Sequence, residues 1–205
     1  MEDEMGSQTE LAELGRRPGG SAVAMLRRET RVAHRRLERE LGVMSPDLLM
    51  DEYRRLLVGF AALHQTLDDE IGAQLQCVTP PDAFDELHID ERRRMPSLMR
   101  DFDRLGIAPP RRVAFPLTSM AGALGALYVS EGATLEGSVI GPHVRAVLGG
   151  DTPVEFFESS GVDVQARWAS CRGVINRLLV ARSDRTEAAR VAVAVFDRFS
   201  EVLGR

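Results

Sequence analysis

Between Gly122 and His143 the chain is apolar and periodic enough to be a helix, yet the stretch holds five glycines and a proline. Each interior glycine costs roughly 0.8–1.0 kcal/mol of helix preference against alanine, about 4–5 kcal/mol over the run. Such a helix needs something that rewards missing side chains. One option is the close approach of another helix. The other is a flat ligand against the backbone, with Gly132 and Gly137 clearing its path. The sequence alone leaves both open. Pro142 adds an expected kink or break.

The rest of the chain follows the same helical period. A first helix is expected from about Ala22 to Leu41, with Leu26, Ala33, Leu37 and Leu41 on one stripe and Gly42 as its stop. Ser45-Pro46-Asp47 predicts a new N-terminus, with Ser45 as cap and Pro46 at the first helical position. That helix carries Leu49, Tyr53, Leu56, Leu57, Phe60, His64, Leu67 and Ile71, and ends before Pro80-Pro81. A third is expected over Ile89 to Leu105, closed by Gly106 and Pro109-Pro110. The glycine-rich helix should run from about Thr118 to Leu148. Two more are expected over Asp163 to Leu179 and Glu187 to Leu203. Aromatic residues are only 5% of the 205, and no strictly alternating Val/Ile/Thr run suggests a strand. The expectation is all-α: a single-domain bundle of six or more helices over residues 22–205, preceded by a polar, Gly-rich flexible tail over 1–21.

Charge and cysteine content narrow the function classes. The formal net charge of −5 is wrong for a general nucleic-acid binder. All 26 basic residues are arginine, suited to bidentate pairing with carboxylates or phosphates. Cys77 and Cys171 lack CxxC spacing, so neither a disulfide framework nor a zinc site is expected. The acidic start (Met1, Glu2, Asp3, Glu4) is unlike a secretory signal, and no apolar run is long enough to span a bilayer. A reducing cytoplasm is the expected location, with no membrane partner.

His34 lies beside the apolar stripe of the first helix. Arg27, Thr30, Leu37 and Leu41 fall seven and four residues before it and three and seven after, on the same side. A half-buried neutral imidazole offers a lone pair to iron or another transition metal. Arg27 and Thr30 could hold an anionic group of the same ligand. Heme has that shape: a flat apolar body, a metal centre and two propionates at one edge. The competing reading is a hydrogen-bonded core histidine. His64 reads as core or boundary, and His88 as part of an acidic loop.

Taken together, two segments resemble the heme oxygenase family, and most of all its bacterial biliverdin-forming branch. LRRETRVAHRRLE (Leu26 to Glu38) is similar to the proximal helix, Leu-Arg/Lys-x-x-Thr-x-x-x-His-x-x-Leu. LYVSEGATLEGSVIGPHV (Leu127 to Val144) is similar to the distal helix, usually Leu-Tyr-Val-Leu-Glu-Gly-Ser-Thr-Leu-Gly-Gly-x-x-Ile-x-x-His. EYRRLLVGFAALH and VFDRFSEVL also fit, so the resemblance spans about residues 22–205. It implies a heme oxygenase-type bundle with heme between the two helices. His34 would be the iron ligand. Arg27, Thr30 and Tyr128 would lie near the propionates, joined by Arg172 or Arg177, with Arg172 preferred. Gly132 and Gly137 would form the distal floor, and His143 would sit outside the pocket.

The family's Gly-Gly pair reads Glu136-Gly137 here. Glu136 could orient a distal water network and so act catalytically with Gly132 and Gly137. It could instead obstruct the pocket, because a buried carboxylate is costly, or it could meet solvent. The implied reaction is O2-dependent cleavage of heme, at once cofactor and substrate, to biliverdin, CO and Fe2+, with electrons from a ferredoxin or reductase. The distal segment has no His or Arg between Gly122 and Pro142, unlike the acid–base pair of a peroxidase. The alternative is a heme-binding carrier or sensor of the same fold without turnover. A di-iron oxidase would need Glu-x-x-His pairs that the sequence lacks. A thiamin-degrading relative would need a Cys nucleophile with a nearby base. A purely structural protein would bind no heme at all.

Overall fold

A computed structural model describes residues 20–158 and 163–204. Its elements are α1 (Ala22–Leu41), α2 (Met50–Val78), α3 (Pro81–Leu87), a 3₁₀ turn (Ile89–Arg92), α4 (Met95–Leu105), α5 (Met120–Leu148), α6 (Glu155–Glu158), α7 (Val164–Leu178) and α8 (Arg182–Leu203). No strand occurs among the described residues, so the expected all-α class holds. Most of the predicted 1–21 tail lies outside the described residues. Ser21 does not belong to a tail: it caps α1, its side chain accepting from the Ala24 N–H at 3.1 Å.

α1 matches its expected bounds because both ends carry strong local signals. Ser21 is the N-cap, and Gly42 takes the left-handed conformation at φ 58°. The predicted cap at Ser45 is not one. Its hydroxyl instead accepts from the Asp47 N–H in a turn, and α2 starts at Met50, where Glu52 accepts from the Leu49 N–H. The single helix expected over Ile89 to Leu105 is a 3₁₀ turn and then α4. The break falls at Arg93, whose backbone is extended at φ −60°, ψ 131°, and Pro96 sits in the first turn of α4, where no N–H is needed. α2 ends at Val78, before Pro80-Pro81 as expected, and Pro81 opens α3 from the first turn, where its missing N–H is harmless. Pro142 does not break α5, whose helix continues to Leu148. The Ser138 carbonyl left without a donor lies on an exposed turn, where water can satisfy it.

α8 is the spine of the bundle. Both α1 and α5 pack extensively on it, and they do not pack extensively on each other. Glycine makes the α5–α8 contact possible: a Cβ added at Gly125 would overlap the Ala188 carbonyl, and one at Gly122 would press on Val191. α8 answers with buried Ala188, Ala189 and Ala192. The lower core is aromatic. Phe60, Phe156, Phe157 and Phe199 cluster with centroids 5.0–6.1 Å apart, and His64, 2% exposed, sits against Phe156 and Phe199 as a core residue. Two buried carboxylates serve as helix caps. Asp101 accepts from the Glu155 and Phe156 N–H groups at the start of α6, and Asp68 from those of Arg94 and Met95 at the start of α4.

Candidate functional site

The site lies where α1 and α5, both leaning on α8, leave a gap bridged by side chains. His34 projects from α1 into this gap. Its ring meets Phe196 of α8 edge-on, with centroids 5.2 Å apart, so the imidazole is half-buried. Behind the ring, Glu38 lies one turn further along α1, with Oε1 3.6 Å from Nδ1. In front, Nε2 is 2.8 Å from Oε1 of Glu136 on α5. That hydrogen bond holds the imidazole pKa above its ordinary value. Burial pulls the other way, and the Glu136 and Glu38 charges add to the rise. His34, Glu38 and Glu136 together form a cluster of potential metal-ligating atoms within 4.8 Å of one another.

Tyr128 stands two turns before Glu136 on α5. Burial raises its pKa, while the Thr30 side chain and the Arg27 charge, both from α1, work against that rise. Arg27, Thr30 and Tyr128 therefore sit at one edge of the gap. Thr30 is buried, and its hydroxyl donates to the Leu26 carbonyl at 2.8 Å. Trp168 of α7 stacks beside Tyr128 with centroids 5.7 Å apart, and Arg172, one turn on, lies over the indole at 5.9 Å. Arg172 is thus on the Tyr128 face of α7. Arg177 is on another face: Ser170, Gly173 and Arg177 all turn toward Glu86, which Arg177 pairs with at 2.5 Å. Arg172, and not Arg177, therefore shares the Tyr128 face of α7.

The two glycines expected to line the floor have different surroundings. Around Gly132 a Cβ would meet nothing within 4 Å, so this turn of α5 faces open space. A Cβ at Gly137 would overlap the Phe157 carbonyl. Gly137 is buried because it packs against the Phe157 backbone of α6. Close packing thus accounts for Gly137, whereas at Gly132 the packing leaves space free. His143 lies outside the gap, its Nε2 3.1 Å from the Ser45 carbonyl.

A buried ionic cluster fixes the turn of α5 before Gly132. Glu131, 2% exposed, pairs with Arg92 at 2.5 Å and with Arg167 of α7 at 2.6 Å. Arg92 and Arg167 also donate to the Arg167 and Glu91 carbonyls. Glu38, Trp168 and this cluster escaped the sequence reading. Glu38 had a usable signal, its i+4 spacing from His34. The Glu131 pairs, which join residues 36 and 39 positions apart, had none.

The arrangement suits a flat, metal-centred, acidic ligand. An imidazole faces a wall that bare backbone lines at Gly132, and cationic and hydroxyl groups gather at one edge. The side chain in the way is Glu136.

No protein-family profile matches the chain. A heme oxygenase of Xanthomonas campestris is 34% identical over 113 residues, covering 55% of this chain and 68% of the relative. The NO- and CO-bound heme oxygenase of Neisseria meningitidis superposes with a TM-score of 0.74 at 18% identity, over 89% of this chain and 90% of that one. The heme oxygenase of Leptospira interrogans gives 0.71 at 16% identity, over 90% and 99%. Heme oxygenase-1 of the cyanobacterium Synechocystis, in complex with heme, gives 0.67 at 14%, over 90% and 91%. The three structures share this fold, and the Xanthomonas sequence ties it to their kind: the chain belongs to the heme oxygenase family.

Proposed function

We propose that the chain degrades heme, with O2 and electrons from a ferredoxin or reductase, to biliverdin, CO and Fe2+. The observation that carries this reading is the half-buried His34 imidazole. It meets Glu136 of α5, one turn from Gly132, where no side chain is presented, and α1 and α5 do not pack extensively on each other. His34 would hold the iron through Nε2, with Glu38 behind the ring fixing its orientation. Arg27, Thr30, Tyr128 and Arg172 would take the propionates, which sets how the macrocycle is turned in the gap. The bound heme supplies the oxygen and redox chemistry, and the protein supplies orientation and electrostatics. Gly132 lets the macrocycle lie against backbone. The Glu131 cluster keeps that turn of α5 in place. No helix among the described residues is long and apolar enough to cross a membrane. Two free cysteines suit a reducing cytoplasm.

The test is addition of hemin, then of O2 with ascorbate or a ferredoxin system. Loss of the Soret band with formation of biliverdin is expected. A Soret band that survives reductant and O2 means binding without turnover, and contradicts the proposed reaction. His34→Ala should abolish the native heme spectrum or convert it to water or hydroxide ligation. An unchanged spectrum would assign the iron to another residue.

A further inference from the structure

Glu136 stands where the resembling distal helices carry glycine, and its carboxylate is the group directly facing His34. The two side chains meet head-on from opposite helices, Nε2 to Oε1 at 2.8 Å. Among the described residues, the hydrogen-bond partner of this carboxylate is the His34 imidazole. The carboxylate is 43% exposed and so has room to move. Gly132, one turn earlier on the same face of α5, leaves the space beside it open.

Metal bonds to imidazole nitrogen and carboxylate oxygen are each about 2.0–2.2 Å. An ion held between the two atoms would therefore separate them by about 4 Å. The present spacing is short of that by about 1 Å, which a change of Glu136 rotamer can supply. Glu38 cannot take this part, because it lies behind the ring at Nδ1.

We propose that Glu136, which meets His34 head-on from the opposite helix, is a second protein ligand of the iron when ferric heme is bound. This rests on the heme-binding reading above. The carboxylate is a hard anionic ligand and favours the ferric over the ferrous ion. Bound heme would supply the redox change, and with the iron reduced the hold of Glu136 on it would weaken, leaving the side chain as free carboxylate beside His34. No proton moves. Glu136 would thereby shield the O2 side of the site in the oxidised protein and uncover it on reduction. This gives a use to a side chain that otherwise only crowds the gap.

The experiment uses the full chain with hemin and no reductant, followed by absorption and resonance Raman spectroscopy as pH is raised. The wild type is expected to lack the water-to-hydroxide conversion of a water-ligated ferric heme. Glu136→Gly and Glu136→Gln should both acquire it, and both should bind azide faster. A wild-type complex that converts as Glu136→Gly does overturns this inference and leaves the heme reading intact. Absence of a Soret complex from every variant, wild type included, overturns the heme reading and this inference with it.

Discussion

Gly137 packs directly on the backbone carbonyl of Phe157, and that contact docks α6 against α5. Gly132, five residues earlier on the same helix, faces open space. Two glycines of one motif thus serve unrelated ends, and stability measurements separate them. Gly137→Ala should destabilise the fold by about 1–3 kcal/mol, because backbone cannot yield as a side-chain tip can. Gly132→Ala should leave stability unchanged or raise it by up to about 1 kcal/mol, the gain in helix preference. Urea unfolding of both variants is the check. Equal losses would mean that Gly132 is also packed.

Glu131 joins α5 to α7 through Arg167 and to the 3₁₀ turn through Arg92, and all three charges are largely buried. Removing one member leaves the others without compensation in a low-dielectric interior. Glu131→Ala should cost about 3–5 kcal/mol. Arg167→Ala should be costly too, and the double variant should lose less than the sum, because the single losses share one interaction. Strict additivity in a denaturant double-mutant cycle would refute the coupling.

How much of this the sequence revealed depends on the range of the interactions. α1 was legible because its determinants are local, the Leu26–Ala33–Leu37 stripe and Gly42, although its Ser21 cap was assigned to the tail. The site's side chains on α1 and α5 were legible for the same reason, since Arg27, Thr30 and His34 share a helix face, as do Tyr128, Gly132 and Glu136. What sits against each face was not. α6 is a single turn capped by Asp101, more than fifty residues away, and nothing within residues 155–158 announces it. Glu136 had three open readings, and its bond to His34 was none of them. That bond depends on where α8 places α1 and α5, which helical periodicity does not encode. Arg172 and Arg177 both looked suitable until Glu86 claimed one face of α7.

The two cysteines should differ sharply toward alkylating agents. Cys171 is fully buried, and burial, helped by the nearby Glu131 charge, pushes its thiol pKa up to about 12. Cys77 is exposed near the end of α2. Only the thiolate reacts. Mass spectrometry after iodoacetamide treatment of the native protein should find a single label, on Cys77, with Cys171 modified only after unfolding. Native labelling at Cys171 would show that the α5–α7 interface opens.

Trp168 is the only tryptophan in the chain and lies against Tyr128 at the edge of the gap, so it reports on ligand binding there. Hemin should quench its fluorescence in proportion to occupancy, giving a dissociation constant without turnover. Arg172 lies over the same indole and is exposed, so a pairing with a propionate, as proposed above, would be worth about 1 kcal/mol. Arg172→Ala should therefore weaken hemin binding by roughly fivefold. Arg177→Ala should leave the affinity unchanged, because that guanidinium is engaged with Glu86 on another face of α7. Raised ionic strength should erase most of the difference between wild type and Arg172→Ala, as it screens a surface ion pair. An affinity that responds to Arg177 and not to Arg172 would place the acidic edge of the ligand at the other side of α7, against the orientation assigned from Tyr128.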